Sequence, residues 1–272
     1  MNARGLWQGE VRREGNRSVL ARSLHQAPLK VAKPFSGPGG EVIVYLMDAS
    51  PGLFGGDSQN IMCTVGCGAN AVLTNQSASK LHPSQKGGTS RLTQRFYVAA
   101  EGALEYLPEP VIPFADAVHV SDTEVWLVDG AQAIIGDVIA AGRVKSGEAF
   151  AFKRLANRFS VYWNGVLEVR DALDLQSSRW QDGPDGFADY THAATLWVLS
   201  ERVTKEHVAM LQELLAVCED GSVYAGCSML PCRGLVIRML GRSGWRLQEE
   251  LRRCWNAMRR ELLGRPALSL RK

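Results

Sequence analysis

Residues 158–166 read Arg-Phe-Ser-Val-Tyr-Trp-Asn-Gly-Val, and this stretch decides the class of fold. Its first six residues are rich in β-branched and aromatic side chains, which favour a strand. Asn164 and Gly165 then form a dipeptide typical of a tight hairpin turn, because both tolerate the positive φ angles that such a turn requires. The sequence therefore predicts a β-hairpin whose turn is at residues 164–165.

Segments of the same kind occur on both sides of this hairpin. They are rich in Val, Ile, Phe, Tyr and Trp, and they are separated by Gly, Pro, Asn and Asp at close intervals. They span residues 41–47, 61–74, 95–106, 123–129, 132–143, 149–155 and 194–200. Residues 1–200 are therefore predicted to be all-β, and a sandwich, a barrel and a solenoid are all compatible with the periodicity.

Two helices are predicted after the strands, each with an apolar stripe at helical spacing. Thr204 can cap the start of the first helix, and Gly221 can end it. Ser243 can cap the start of the second helix, and Gly264 can end it. Residues 234–240, between the two helices, predict another buried strand.

The composition limits the class of protein. With 272 residues, of which 46% are hydrophobic and 22% charged, the chain can bury the core of one large domain or two small ones. It has no apolar run near the roughly 18 residues of a membrane span. Residues 1–15 also lack the apolar stretch of a secretory signal. We expect a soluble, cytoplasmic protein that binds no membrane.

The six cysteines are expected to stay reduced, because nothing in the sequence indicates an oxidising compartment. Cys63 and Cys67, with His82 nearby, could offer soft ligands to a transition metal. If one strand contains both cysteines, however, they lie about 13 Å apart along it and cannot share an ion. Small buried hydrophobic residues are the favoured interpretation.

Positive charge is concentrated at the end of the chain. Residues 233–272 contain eleven Lys or Arg and three Glu, a balance of +8, which leaves −5 for residues 1–232 out of the net +3. Such a segment can contact an acidic protein, or it can simply form a solvated helix face. Nucleic acid is the least favoured partner, because no binding motif or exposed aromatic platform accompanies the charges.

Little in the sequence indicates catalysis. Gly56-Asp57-Ser58 could be mistaken for the nucleophile block of a serine hydrolase, but such a serine needs a histidine base and an acid that orients it. The chain has no nucleotide-binding glycine loop and no His-Glu-x-x-His motif. The five histidines are not in familiar catalytic settings, although spacing alone does not exclude a triad: His25, His82, His119, His192 and His207.

Several blocks of sequence, in order along most of the chain, resemble the urease accessory proteins called UreD or UreH. Each block alone is weak, whereas the ordered set is specific. The blocks are Pro28-Leu29-Lys30-Val31, residues 51–57 (Pro-Gly-Leu-Phe-Gly-Gly-Asp), residues 73–80 (Leu-Thr-Asn-Gln-Ser-Ala-Ser-Lys), residues 102–114, Ala141-Gly142-Arg143 with Gly147-Glu148, residues 233–238, and Trp255 with Arg259.

The resemblance implies a mainly β fold. Many short strands would wind in a right-handed, β-helix-like superhelix, and two helices would lie in the C-terminal part. The chain would form a single domain over residues 1–272. Its β-rich body would span about residues 20–200, and a helix-strand-helix segment would span about residues 203–264.

The function that the resemblance implies is urease maturation without catalysis. The protein would be a scaffold that binds apo-urease on one side and UreF on the other, with UreG held through UreF. Nickel would be cargo in transit through an internal tunnel, and no cofactor would be bound permanently. Neither nucleic acid nor membrane is an expected partner. A plain adaptor without an ion path is the alternative, and a hydrolase that uses Ser58 is a more distant one.

The resemblance also implies which residues line the tunnel. Asp57 and Asp171 fall where family members have functional acids, and Glu168 is close enough in sequence to be the true equivalent of Asp171. Two structural interpretations stay open: Asp57 caps backbone N–H groups in its own turn, and Arg143 pairs only with Glu148. The residues expected to shape the structure are Gly52, Gly55, Gly56, Gln76, Lys80, Pro108, Arg143 and Glu148.

Overall fold

The computed structural model describes residues 2–83, 87–176, 187–216 and 221–270. The protein is mainly β, with 53% strand. The described strands are β1 (Arg4–Glu14), β2 (Arg17–Gln26), β3 (Leu29–Val31), β4 (Phe35–Ser36), β5 (Val42–Asp48), β6 (Ser58–Val65), β7 (Asn70–Asn75), β8 (Ser79–Leu81), β9 (Ser90–Val98), β10 (Ala103–Tyr106), β11 (Val111–Pro113), β12 (Val118–Leu127), β13 (Gln132–Ala140), β14 (Gly142–Arg143), β15 (Glu148–Ala149), β16 (Arg154–Trp163), β17 (Val166–Gln176), β18 (His192–Leu199), β19 (Val223–Met229) and β20 (Gly234–Gly241). The described helices are α1 (Lys205–Ala216) and α2 (Gly244–Leu263).

Most strands belong to two large sheets. Sheet A has seven strands in the order β17-β16-β12-β9-β6-β1-β2, parallel from β16 to β1 and antiparallel at both edges. Sheet B has eleven strands, with the main order β19-β20-β18-β13-β10-β7-β5-β3, and it is parallel from β13 to β5. Sheet B also contains three short strands off this main order: β11 pairs with β13 and with β8, and β4 pairs with β5.

The chain winds from one sheet to the other once per coil. Strands β6, β7 and β8 form one coil, and β9, β10 and β11 form the next, each strand paired with its counterpart in the neighbouring coil. The result is a β-solenoid of about four turns. The mainly β, helix-like winding with two C-terminal helices is therefore confirmed, and of the three arrangements that the periodicity allowed, the solenoid is correct.

Three strands predicted as continuous are each broken where the chain changes sheets. Residues 132–143 divide between β13 of sheet B and β14, which pairs with β15 in a separate two-stranded sheet. Residues 61–74 divide between β6 and β7, and residues 95–106 divide between β9 and β10. Gly68 has a φ of +62° and Glu101 a φ of +57°, so a left-handed residue turns the chain at each of these last two crossings. Apolar residues lie on both sides of each crossing, and hydrophobicity alone therefore did not reveal the breaks.

Other elements also differ from the predictions. Strand β1 was missed, and it already begins at Arg4, ahead of the predicted start of the β-rich body. The other missed strands are β2, β3, β4, β8, β11 and β19. The predicted strand at residues 149–155 is wrong over its middle, where Phe150 has a φ of +55° and Phe152 is buried without belonging to a strand. Aromatic residues favoured a strand there, but burial in the core satisfies them equally well.

The hairpin at residues 164–165 is confirmed, because β16 and β17 pair on either side of it. The condition that one strand contains both Cys63 and Cys67 is not met. Cys63 is buried in β6, whereas Cys67 lies exposed in the turn that follows. The five cysteines within the described residues are all free thiols, and burial raises the pKa of Cys63 to about 12.

Both helices pack on the outer face of sheet B, where apolar side chains of the helices and strands form one cluster. Ser243 and Gly264 are at the predicted ends of α2, and Gly264 has the left-handed conformation of a C-cap. Residues 217–220, just before the predicted end of α1 at Gly221, lie outside the described residues. Neither described helix is long and apolar enough to cross a membrane.

A buried ion cluster attaches α2 to sheet B. Arg259 is fully buried and donates hydrogen bonds to both Glu41 and Glu105, which are also fully buried. The indole Nε1 of Trp255 donates to Glu105 Oε2 at 2.6 Å. Burial raises the pKa of Glu105, while the charge of Arg259 opposes that rise. Removing either sign of charge would leave the other buried and unpaired.

Candidate functional site

A cavity of about 90 Å³ lies between sheets A and B. Its walls come from β9, β12, β16 and β17 on one side and from β10, β13 and β18 on the other. The space is large enough for several water molecules. Its polar lining includes Gln94, His119, Ser121, Thr123, Asp137, Asn157, Asp171 and Thr195. This arrangement is unusual for a region between two sheets, which is normally filled by apolar side chains.

Asp137 is the central acid of the cavity. It points inward from β13, opposite Thr195 of β18, and its Oδ2 accepts a hydrogen bond of 2.5 Å from Asn157 Nδ2. Asn157 Oδ1 in turn accepts the hydroxyl proton of Ser121. Burial raises the pKa of Asp137 to about 6, and the charge of nearby Asp171 adds to the rise. The site therefore contains a half-buried carboxylate whose charged form is poorly stabilised.

Asp171 lies on β17 and lines the same cavity as Asp137. Arg238 Nη2 of β20 donates to Asp171 Oδ2 at 2.7 Å, and the Asp171 side chain is 21% exposed. Because β17 belongs to sheet A and β20 to sheet B, this ion pair bridges the two sheets at the rim of the cavity. Of the predicted tunnel acids, Asp171 is the one that the structure places in the cavity.

Neutral polar groups form another wall. His119 is 2% exposed, and its Nδ1 lies 2.8 Å from the hydroxyl of Ser90. Burial lowers the pKa of His119 to about 4, so its imidazole is neutral at neutral pH. Gln94 Nε2 donates to the hydroxyl of Tyr106 at 2.6 Å, and the Thr123 hydroxyl donates to Gln94 Oε1 at 2.9 Å. A neutral imidazole and carboxylates are both donors that divalent transition metals accept.

Glu109 and Pro108 line a further part of the cavity, next to helix α2. Gln248 Nε2 donates to Glu109 Oε2 at 3.1 Å, and Arg252 Nη2 lies 3.8 Å from Glu109 Oε1. The Glu109 side chain is 16% exposed. Pro108, one of the residues expected to shape the structure, follows the end of β10 at Tyr106 by two residues. An acidic group therefore lies close to the surface on this side of the molecule.

Asp57 lies elsewhere. Its Oδ1 accepts a hydrogen bond of 2.7 Å from the backbone N–H of Ala3, and its Oδ2 accepts one of 2.9 Å from that of Phe54. It precedes β6, which is four strands from β17 in sheet A, so about 19 Å separates Asp57 from Asp171 across the sheet. Both oxygens bind backbone donors, and the contacts thus favour the turn-capping interpretation.

Glu168 is in a third place. It lies where the register of β16 and β17 shifts between Val161 and Tyr162, and its Oε2 is buried without a hydrogen-bond partner among the described residues. Its charge is one of the causes that raise the pKa of the Cys232 thiol, after burial. Glu168 does not line the cavity. The structure therefore does not bring Asp57, Asp171 and Glu168 together.

The glycines before Asp57 shape its turn. Gly52 has a φ of +138°, and a β-carbon there would lie 2.4 Å from the carbonyl oxygen of Lys80. Gly56 has a φ of +98°, and a β-carbon there would lie 2.6 Å from Asn2 Nδ2. Both positions therefore require glycine. Gly55 lies between them, in the same turn.

The remaining motif residues have structural contacts. Gln76 is exposed, and its backbone N–H donates to the carbonyl of Leu46 at 3.0 Å. Lys80 is also exposed, and its carbonyl oxygen accepts from the backbone N–H of Leu53. Arg143 pairs with Glu148 through two hydrogen bonds, one of 2.8 Å from Nε. That ion pair was one of the two open interpretations, and it lowers the pKa of Glu148.

Sequence reasoning missed Asp137 and left His119 without a role. The available signal for Asp137 was its position, because a single acid interrupts the apolar run of residues 133–140 in a predicted strand. His119 had no such signal. Among the described residues, no three His, Cys, Asp or Glu side chains are grouped so that together they could hold a metal ion.

The chain matches the family described as UreD urease accessory protein over residues 4–272. The chain belongs to the UreD family. It is 34% identical over 238 residues to a protein named urease accessory protein UreD from Acetivibrio thermocellus, covering 87% of this chain and 90% of the relative. A protein of the same name from Sorangium cellulosum is 32% identical over 240 residues, covering 88% of this chain and 76% of the relative.

The similarity extends over the full length in other relatives. A protein named urease accessory protein UreD from Bacillus cereus is 26% identical over 270 residues, covering 98% of both chains. UreD family membership gives this chain a role in urease maturation, as an accessory factor. The resemblance on which the sequence blocks were interpreted is thereby confirmed.

Proposed function

We propose that the chain is a non-catalytic scaffold for urease maturation and that its inter-sheet cavity is part of a path for Ni²⁺. The scaffold would bind apo-urease on one side and UreF on the other, hold UreG through UreF, and act in the cytoplasm. Neither nucleic acid nor a membrane takes part. Nickel is cargo, and no cofactor is bound permanently.

The observation that carries the proposal is the inward carboxylate of Asp137. A divalent cation crosses a protein only if oxygen or nitrogen ligands and water replace its hydration shell. Asp137 and Asp171 supply anionic oxygens in the cavity, and His119 supplies a neutral imidazole. A raised pKa near 6 for Asp137 means that its charge is poorly compensated by protein partners, so a passing cation would be stabilised there.

The position of each acid relative to the cavity limits which residues the ion path can use. Asp137 and Asp171 are close enough for their charges to interact, and Glu109 lines another part of the same cavity. Asp57 and Glu168 are outside it. The path is therefore proposed to use Asp137, Asp171 and Glu109, with Asp57 acting as a structural residue of its turn.

A plain adaptor would form the same complexes without transferring an ion. The two functions differ in what they require of the cavity acids, since an adaptor needs only an intact outer surface. The experiment is complementation of a urease operon from which the gene for its own UreD protein has been removed. The readout is the amount of nickel per urease active site.

The test variants are Asp137→Asn and Asp171→Asn, and the matched control is Asp174→Asn. Asp174 lies on the same strand as Asp171, but it pairs with Arg154 on the outer face, where its side chain is 44% exposed. We expect lower nickel content with the two cavity variants, full content with the control, and equal recovery of urease and UreF in pull-downs. Full nickel content in all three would leave the adaptor as the function.

A further inference from the structure

A second pocket, of about 240 Å³, lies at the edge where the chain crosses between sheets and the end of α2 meets the solenoid. We name it the arginine pocket. Its polar lining consists of Arg13, Asn70, Glu101, Gln132, Arg202 and Arg265. Three arginines and one glutamate thus line a single pocket. The nickel path proposed above does not use any of these residues.

The guanidinium groups approach from three different elements. Arg13 is at the end of β1, where its Nε donates to the carbonyl of Gly15 at 3.0 Å, and its Nη1 would lie 3.3 Å from a β-carbon at Gly68. Arg202 precedes α1, and its Nη1 donates to the carbonyl of Leu262 at 3.4 Å. Arg265 follows α2. Each element thereby presents one cation to the pocket.

The positive charge is incompletely balanced. Glu101 is the acid that lines the pocket, and its carboxylate is 69% exposed and 4.0 Å from Arg202 Nη2. Among the described residues, Arg265 has no carboxylate within ion-pair distance, and its Nη1 is buried without a hydrogen-bond partner. The nearby Glu41 and Glu105 both bind Arg259 instead. Burial lowers the pKa of Arg265, so a bound anion would stabilise its charged form.

Neutral donors complete the lining. Gln132 is buried and lines the pocket, and its Oε1 accepts from the hydroxyl of Ser200 at 3.5 Å. We propose that the arginine pocket binds a small tetrahedral oxyanion of the phosphate or sulfate type. Guanidinium groups bind such oxygens through paired hydrogen bonds. Three of them approaching from different sides suit an anion with four oxygens better than a planar carboxylate with two.

The pocket also has a suitable size. At about 30 Å³ per water molecule in the liquid, the volume accommodates an oxyanion with several waters. Gly68 also lines the pocket, and its φ of +62° is a backbone conformation that favours glycine. The site is therefore independent of the acidic cavity and opposite to it in charge.

The test is calorimetric titration of the full-length protein with inorganic phosphate, repeated with acetate and with chloride at the same ionic strength. We expect saturable binding of phosphate, weaker binding of acetate, and no binding of chloride. Arg13→Gln and Arg202→Gln should each weaken phosphate binding about tenfold or more, because each removes a charge-assisted hydrogen-bond donor. Arg202→Lys should weaken it less than Arg202→Gln.

The matched control is Arg12→Gln, the neighbouring residue of β1, whose guanidinium pairs with Glu10 on the exposed surface. It should bind phosphate as the wild type does. Thermal melting of each variant shows whether it is folded, and nickel loading by the complementation assay should be unchanged. Absence of saturable phosphate binding by the wild type, equal binding of acetate, or equal affinity in all variants would overturn the proposal.

Discussion

The layer between the two sheets has an apolar half and a polar half, and the same strands build both. Val125 and Leu127 of β12 belong to the buried apolar cluster, whereas Ser121 and Thr123, on the same face of that strand, line the cavity. Alternate residues of a strand share a face, so one strand can contribute to both halves simply by a change in composition along its length. The fold therefore does not require the cavity to be polar.

The two halves have opposite effects on stability. Complete burial of a large apolar side chain contributes about 1.5 to 3 kcal/mol to folding. A half-buried acid whose pKa is raised from 3.8 to about 6 makes the folded state less stable at neutral pH. The presence of Asp137 despite this loss of stability indicates that the polar half has a function.

The largest effect is expected from the buried ion cluster outside both halves. Replacing Arg259 by Leu should destabilise the fold by about 5 kcal/mol, because Glu41 and Glu105 are left buried without a cation. Chemical denaturation measures the loss. Adding Glu41→Gln and Glu105→Gln should restore part of it, and absence of any recovery would contradict the electrostatic explanation.

A slightly smaller loss is expected in the apolar half. Phe96 is fully buried there, next to Tyr106, with 5.0 Å between ring centroids. Phe96→Ala should destabilise the protein by about 3 to 4 kcal/mol through lost burial and a new cavity. The free energy of unfolding gives this value. Nickel content per correctly assembled complex should stay at the wild-type level, and a specific loss would show that the two halves are not functionally separate.

The opposite sign is expected in the polar half. Asp137→Asn should stabilise the protein at neutral pH by about 2 to 3 kcal/mol, since a pKa shift of one unit corresponds to about 1.4 kcal/mol. The folded pKa is above the unfolded one, so the wild type has its full stability below pH 3.8 and loses the difference as pH rises through about 6. The advantage of the variant should therefore grow between about pH 3.8 and pH 6 and stay constant above that range.

Unfolding curves at several pH values, with the nickel assay alongside, test this prediction. A variant that is more stable but loads less nickel would confirm that Asp137 lowers the stability of the fold and is needed for nickel transfer. Asn157→Ser offers a comparison, because it removes the amide that donates to Asp137 while leaving the acid in place. A pH-independent difference between wild type and Asp137→Asn would contradict the assignment of the raised pKa.

The smallest effect is expected at the glycine turn. Asp57→Asn retains one carbonyl acceptor and loses the charge that holds Ala3 and Phe54, so we expect a loss of about 1 kcal/mol. Thermal melting measures it. Nickel loading should equal that of the Asp174→Asn control, and lower loading would return Asp57 to the ion path.

Much of the fold followed from the sequence, but the arrangement of its coils did not. Strand composition and the Asn164-Gly165 turn indicated an all-β body, and the ends of α2 were predicted from Ser243 and Gly264. The crossings at Gly68 and Glu101 were missed, because apolar residues continue on both sides of each one. Periodicity reports which residues are buried, and it does not report in which sheet they are buried.

The site divides in the same way. Asp171 was found through the family resemblance, and it lines the cavity. Asp57 was found in the same way, but it accepts hydrogen bonds from the backbone N–H of Phe54 in its own turn and from that of Ala3 at the start of the chain. Asp137 was visible only as an acid in an apolar strand. Its meeting with Asp171 needs β13 of one sheet and β17 of the other, and these strands are not paired with each other.

The sequence by itself determined a β-rich chain with two terminal helices, membership of the UreD family, and thus a role in urease maturation. Local preferences and ordered motifs are properties of short segments, and the chain records them directly. Tertiary structure alone decided that Asp137, Asp171 and His119 surround one cavity and that Arg13, Arg202 and Arg265 surround another. The winding of a solenoid brings together residues from separate coils, and only the packing of two sheets determines which of them face each other.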